Sequence, residues 1–177
     1  MITTFESVDR FTVGTVGEPG NRTFYLQIRA ESRLISLSLE KSQVEILAER
    51  MKYMLKEIRL AHPLSTPPAK VRDQLPLEVP VEDSFRIGAI ALFYDEENEK
   101  IQVDLRENNP DYDEDEIILT IDPEIEVVRL FITTTQAETF SDRALLVVAA
   151  GRAPCPFCGF PINPEGHLCA RANGYRR

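Results

Sequence analysis

Near the carboxyl end the chain reads Pro154-Cys155-Pro156-Phe157-Cys158-Gly159 and then Gly166-His167-Leu168-Cys169, a C-x2-C-x8-H-x-C pattern. A Cys-x-x-Cys turn sets two thiolates on one side of a tight loop, and Gly159 is free to take the backbone angles that aim amides at sulfur. Pro161, Asn163, Pro164 and Gly166 supply a return turn that brings His167 and Cys169 to the other two corners of a tetrahedron. Three thiolates and one imidazole suit Zn2+, which takes sulfur and nitrogen tetrahedrally without redox demands; iron is the weaker fit. Cys155, Cys158, His167 and Cys169 together fill the shell and leave no water to activate, so the expected role is structural. The one-residue gap between His167 and Cys169 is tighter than the usual second knuckle, and a disulfide or a redox dithiol is the competing reading. A redox Cys-x-x-Cys opens a helix after a strand, a setting that Pro156 and Gly159 do not suggest.

Other chemistry is poorly supported. Pro-Cys-x-x-Cys also occurs in zinc nucleobase deaminases, but those need an upstream H-x-E or C-x-E, and His62 is followed by Pro63 and Leu64. His62 itself, at a helix exit before proline, reads as a cap for carbonyls sooner than as a general base. The acidic run Asp111, Asp113, Glu114, Asp115, Glu116 fails as an EF-hand loop, because Glu116 stands where glycine is needed and Asp122 where glutamate is needed. It reads as a solvated loop. No phosphate loop, nucleophile elbow or dinucleotide fingerprint is present. No catalytic residue is nominated.

These residues need elements to hold them. Phe11 to Val16, Arg22 to Arg29 and Leu34 to Leu39 alternate as short strands, with Phe24, Leu26 and Ile28 on one face and Tyr25, Gln27 and Arg29 on the other. A helix follows from about Ser42 to Leu60, where Val44, Leu47, Met51, Met54, Leu55 and Ile58 form one apolar stripe. In the second half Phe85 to Tyr94, Ile101 to Glu107, Glu116 to Ile121 and Ile125 to Ile132 read as strands, and Thr135 to Ala150 as a helix with Phe140, Leu145 and Val148 inward. Ser42-Gln43-Val44-Glu45 and Thr135-Gln136-Ala137-Glu138 begin matching [ST]-Q-x-E-x-[LF]-x-x-R stretches 93 residues apart, each with the pattern of a capping box headed by Ser42 or Thr135. The expected fold class is α+β: two antiparallel-sheet-plus-helix repeats, with a helix over one face of each sheet, and a small zinc knuckle. The expected division is 1–60 for the first unit, 61–84 for a linker rich in proline, 85–150 for the second unit and 151–177 for the zinc tail.

At 177 residues and 43% hydrophobic content the chain can bury a core, and it has no apolar run of membrane-spanning length and no leader pattern. Three cysteines confined to the tail suit a metal cluster in a reducing compartment, hence a cytoplasmic location. The net charge of −9 argues against coating nucleic acid by bulk charge. That charge is uneven: +5 over residues 21–72, −16 over 73–142 and +4 over 143–177. Tyr25, Gln27 and Arg29, with Arg22 and Arg33 nearby, therefore offer a possible single-strand surface, and Arg171, Arg176 and Arg177 extend it. An ordinary hydrated sheet face is the favoured reading of the same residues.

The tail from Cys155 through Gly166-His167-Leu168-Cys169 to Tyr175, with the Ser42-Gln43 and Thr135-Gln136 units, resembles a bacterial repeat-protein family, mainly actinobacterial, classed as a domain of unknown function. The resemblance covers essentially the whole chain and departs at Ala170, where the family usually has proline. It implies a cytoplasmic bacterial protein of two units and brings no activity. The expectation is a binding or scaffold protein, its zinc structural, that takes a protein or small-molecule ligand. A nucleic-acid-associated module and an enzyme with its site between the units are the alternatives.

Overall fold

The computed structural model describes residues 1–18, 20–62, 70–109, 124–151, 154–159, 162, 166, 167, 169 and 171. In chain order the elements are β1 (Ile2–Phe5), β2 (Arg10–Val16), β3 (Thr23–Ala30), β4 (Arg33–Leu39), α1 (Lys41–Ala61), β5 (Asp83–Asp95), β6 (Lys100–Glu107), β7 (Val127–Thr133) and α2 (Thr134–Ala149). The expected strand at 116–121, the acidic run, Pro63, Pro67, Pro68, Arg176 and Arg177 lie outside the described residues.

The strands form one mixed sheet of seven in the order β1-β7-β6-β5-β4-β3-β2. This corrects the expectation of two antiparallel sheets. Antiparallel pairing does hold within β2-β3-β4 and within β5-β6-β7. The halves then join by a parallel pair, Ser36 opposite Asp83 and Ser38 opposite Arg86, because the chain crosses over through α1 and runs back beside β4. A second parallel pair sets β1, unforeseen from the sequence, on β7 with Ile2 opposite Val127 and Phe5 opposite Leu130. β5 is shared between partners: its first residues meet β4, and from Ile87 onward it pairs with β6. Gly88 sits at the register shift between them, where a Cβ would lie 2.6 Å from the Asn108 Cα, so only glycine fits.

Both helices start two residues before the expected caps. Glu40 and Thr133 are the N-caps, and Gln43 and Gln136 occupy the third helical position. Ser42 and Thr135 are already inside their helices, which leaves the glutamines to close the boxes: Gln43 Oε1 accepts from the Glu40 amide and Gln136 Oε1 from the Thr133 amide, each at 2.9 Å. Each glutamine also ties its helix to the other half of the chain. Gln43 Nε2 donates to the Ile87 and Gly88 carbonyls at 3.3 and 3.2 Å, and Gln136 Nε2 to the Val8 carbonyl at 2.7 Å.

One core lies between the sheet and the helix pair. Leu26, Ile28, Leu37, Ile101, Val103, Leu105, Leu130 and Ile132 line the sheet side, and each fully buried aliphatic side chain contributes roughly 1.5–3 kcal/mol. The stripe expected on α1 faces this core, with Val44, Leu47, Met51 and Leu55 buried. Ala48, Ala137, Ser141 and Ala144 are all fully buried; their small side chains let the two helices approach closely. The Lys52 ammonium meets the Asp142 carboxylate at 2.6 Å across that contact. Among the described residues no helix is long and apolar enough to cross a membrane.

Residues 70–82, inside the segment read as a linker, lie against the first half of the sheet. Arg10 forks onto the Asp73 carboxylate at 2.8 and 2.9 Å. The Gln27 side-chain amide exchanges two hydrogen bonds, both 2.8 Å, with the Glu78 backbone, and Arg29 pairs with the Glu78 carboxylate. Leu77 fills the notch left by the missing side chain of Gly14. The Tyr25, Gln27, Arg29 face is therefore largely covered, with Gln27 only 1% exposed, and is not the open stacking surface considered from the sequence. Arg22 and Arg33 lie over the rings of Phe24 and Phe5. His62 caps α1 through its backbone, whose N–H donates to the Ile58 carbonyl at 2.9 Å.

Candidate metal centre

The Ala150 amide donates to the Leu146 carbonyl, ending α2, and a turn follows from Cys155 to Gly159. The Gly159 amide closes it by donating to the Cys155 carbonyl at 2.8 Å, and Gly159 takes a φ of +77°, which favours glycine. Gly166, just before His167, takes a φ of +86°.

The turn converges with His167 and Cys169. The ligand atoms of Cys155, Cys158, His167 and Cys169 all lie within 4.8 Å of one another, and among the described residues no other grouping of acidic, cysteine or histidine side chains does this. The Cys155 and Cys169 sulfurs stand 3.8 Å apart, and Cys158 Sγ stands 3.2 Å from His167 Nε2. Two thiolates bound at ~2.3 Å with a tetrahedral angle between them stand roughly 3.8 Å apart, so the donor set has the size of a metal shell. None of the three cysteines is in a disulfide: the 3.8 Å between the Cys155 and Cys169 sulfurs is far longer than the ~2.05 Å of such a bond.

Electrostatics favour a ligating state. Hydrogen bonds from the Cys158 backbone amide first, then from the Phe157 amide and the Cys158 and Cys169 thiols, together lower the Cys155 thiol to about 7 against the opposing effect of burial. Amides aimed at sulfur stabilise a thiolate, the form that binds metal. Cys155 and Cys169 are buried, Cys158 and His167 half-buried. Arg171 reaches the Phe157 carbonyl at 3.4 Å, across the outside of the turn. The intervening Pro161, Asn163 and Pro164 lie outside the described residues.

The buried carboxylates elsewhere are occupied. Burial works to raise Asp104, but the Arg129 fork, at 2.8 and 2.6 Å, and the Gln102 amide outweigh it and hold the carboxyl below its ordinary range. Such a group is an ion-pair partner and a poor proton donor at neutral pH.

A second concave feature escaped the sequence reading. Where α2 meets β2, Phe140 stacks on Phe11 with ring centroids 4.3 Å apart. Where α1 faces β5, a groove of about 650 Å3 remains, lined by Ile46, Leu47, Met54, Ile90 and Leu92, with Arg50 on its wall. The signal in the sequence was the [LF] position itself, since Leu47 and Phe140 stand at the same place in the two helix starts.

The family model described as "Protein of unknown function (DUF3090)" matches residues 3–169, a span that reaches the last of the four ligands. No curated protein and no solved structure matches.

Proposed function

The chain belongs to the DUF3090 family, and from that premise we propose that it is a zinc-stabilised binding or scaffold protein of the bacterial cytoplasm. Cys155, Cys158 and Cys169 hold Zn2+ as thiolates and His167 as a neutral imidazole. When bound, zinc supplies a four-point cross-link with no open position for substrate. The observation that carries this reading is the convergence of four potential ligand atoms within 4.8 Å of one another. The Cys158 and Phe157 amides orient and deprotonate the first thiol, while burial of Cys155 and Cys169 shields the sulfurs from oxidants. Free thiols at metal-shell spacing support a reducing compartment.

Two further observations support duplication of a strand-strand-strand-helix unit. That order occurs as β2-β3-β4-α1 and as β5-β6-β7-α2, and Gln43 and Gln136 do the same two tasks in each. The ligand lies between or across the two units.

Metal analysis of purified protein tests the centre. One zinc per chain is expected, lost together with tail protection in Cys155→Ser or His167→Ala, while the sheet retains its unfolding transition. Metal-free protein with a cystine bridge sinks the proposal.

A further inference from the structure

We infer that the groove between α1 and β5 binds a small amphiphile with a carboxylate head and an apolar body. This deepens the binding-protein reading and rests on it for the premise that a ligand exists. The argument begins with matched positions. Leu47 and Phe140 each stand four residues beyond the capping glutamine of their helix, and Arg50 and Arg143 seven beyond it. On the sheet, Phe11 lies opposite Ile28 and Ile90 opposite Leu105. Those partners in turn face Ile35 and Val128, each eight residues before its glutamine, so Phe11 and Ile90 occupy one station.

At the α2 seam this station is closed by two stacked rings. At the α1 seam two aliphatic side chains stand in their place, and beside them lies an open groove of about 650 Å3. That size falls inside the range of ~300–1,000 Å3 typical of small-molecule sites. The lining is apolar along Ile46, Met54 and Leu92, with Tyr53 adding a hydroxyl. Burying an alkyl or aryl body there removes apolar surface of both ligand and protein from water.

The head group follows from the arginines. Arg143 is engaged: Nε donates to the Val13 carbonyl at 2.6 Å, and Nη1 reaches the Asp73 carbonyl at 2.8 Å and its carboxylate at 3.4 Å. Among the described residues Arg50, at the matching position, is the only charged residue lining the groove, and it makes no ion pair with any of them. A guanidinium beside an apolar trough binds a carboxylate by donating charge-assisted hydrogen bonds to it, as Arg10 does with Asp73.

Decanoate, with decanol as its neutral counterpart, tests this by NMR titration of the full-length, metal-loaded protein. Saturable shifts confined to α1 and β5 are expected. Arg50→Gln should weaken decanoate about tenfold or more and leave decanol unchanged. Leu47→Phe with Ile90→Phe, which introduces the rings of the other seam, should abolish both. Should that pair fail to fold, Ile46→Glu, at a side chain already 56% exposed, should block entry without disturbing the core. Absent or scattered shifts overturn the inference, as does an Arg50→Gln protein that binds decanoate as the parent does. Zinc content measured on the same samples separates the two proposals: zinc-loaded protein that ignores decanoate loses the groove ligand only, whereas metal-free protein that binds it loses the zinc reading only.

Discussion

At the α2 seam Phe140 stacks on Phe11, Arg143 holds the Val13 carbonyl, and Asp73 from the 70–82 segment completes the contact. At the α1 seam the matching positions carry Leu47, Ile90 and Arg50, and the helix stands off the strand. Both seams follow the same order of strands and helix and the same glutamine ties. The difference teaches that backbone order sets where a helix lies, while the side chains at the matched stations differ between a seam closed by stacked rings and one beside a groove. One arginine is consumed by structure and the other is left facing the groove.

The sharpest way to break this comparison is to truncate the two matched core residues. Phe140→Ala removes a ring only 1% exposed from a closed seam and should cost about 3–5 kcal/mol, measured by urea unfolding. Leu47→Ala should cost about 2 kcal/mol, at the low end for such changes, because its neighbours already border a groove and leave less new cavity. Equal losses would mean that the groove is packed shut in solution.

The arginines come next. Arg143→Gln should cost about 2 kcal/mol, since it strips charged hydrogen bonds from a side chain 13% exposed and leaves Asp73 with Arg10 as its one arginine partner. Arg50→Gln should stay within about 0.5 kcal/mol, as an exposed change without a lost partner. The same seam carries a pH signature. Burial works to raise the Asp73 carboxyl, but the hydrogen bonds from Arg10 and the charges of Arg10 and Arg143 outweigh it and hold it below its ordinary 3.8. A carboxyl depressed on folding adds stability that is complete above its unfolded value and is lost as pH falls through the folded one. Stability of the parent should therefore drop more steeply below about pH 4 than that of Asp73→Asn, with Arg50→Gln tracking the parent.

The strands and helices were legible because each half alternates with period two before switching to a helical stripe; Leu26, Ile28, Leu47 and Phe140 all face the core as read. The convergence of Cys155, Cys158, His167 and Cys169 was legible from spacing alone, since turn geometry and donor chemistry are local. Sheet topology was not. The parallel pairs of β4 with β5 and β1 with β7 join residues far apart in sequence, and nothing in the strands themselves encodes that partnership. The caps were misplaced for a local reason. Ser42 and Thr135 are good capping residues, but Gln43 and Gln136 both close a box and reach a carbonyl of the other half, and that tertiary bond selects the earlier start. Nor could composition show that the 70–82 segment covers Gln27, because the Glu78 backbone is the partner and every residue has one.

The smallest expected effect tests what the seams share. Replacing Gln43 or Gln136 by alanine should cost about 1 kcal/mol each, as loss of a helix cap does. Gln136→Ala should cost slightly more, because its Nε2 donates at 2.7 Å to Val8 where Gln43 reaches its carbonyls at 3.2 and 3.3 Å. Glutamate in place of glutamine separates the two tasks. It keeps an oxygen for the cap amide but removes the donor to the other half, and it sets a carboxylate against the Val8 or Gly88 carbonyl. If the tie across the halves matters, glutamate should be at least as damaging as alanine at both positions near neutral pH and recover in acid as the carboxyl regains a proton to donate. If only the cap matters, glutamate should match glutamine throughout, and the two helices would owe their positions to the core alone.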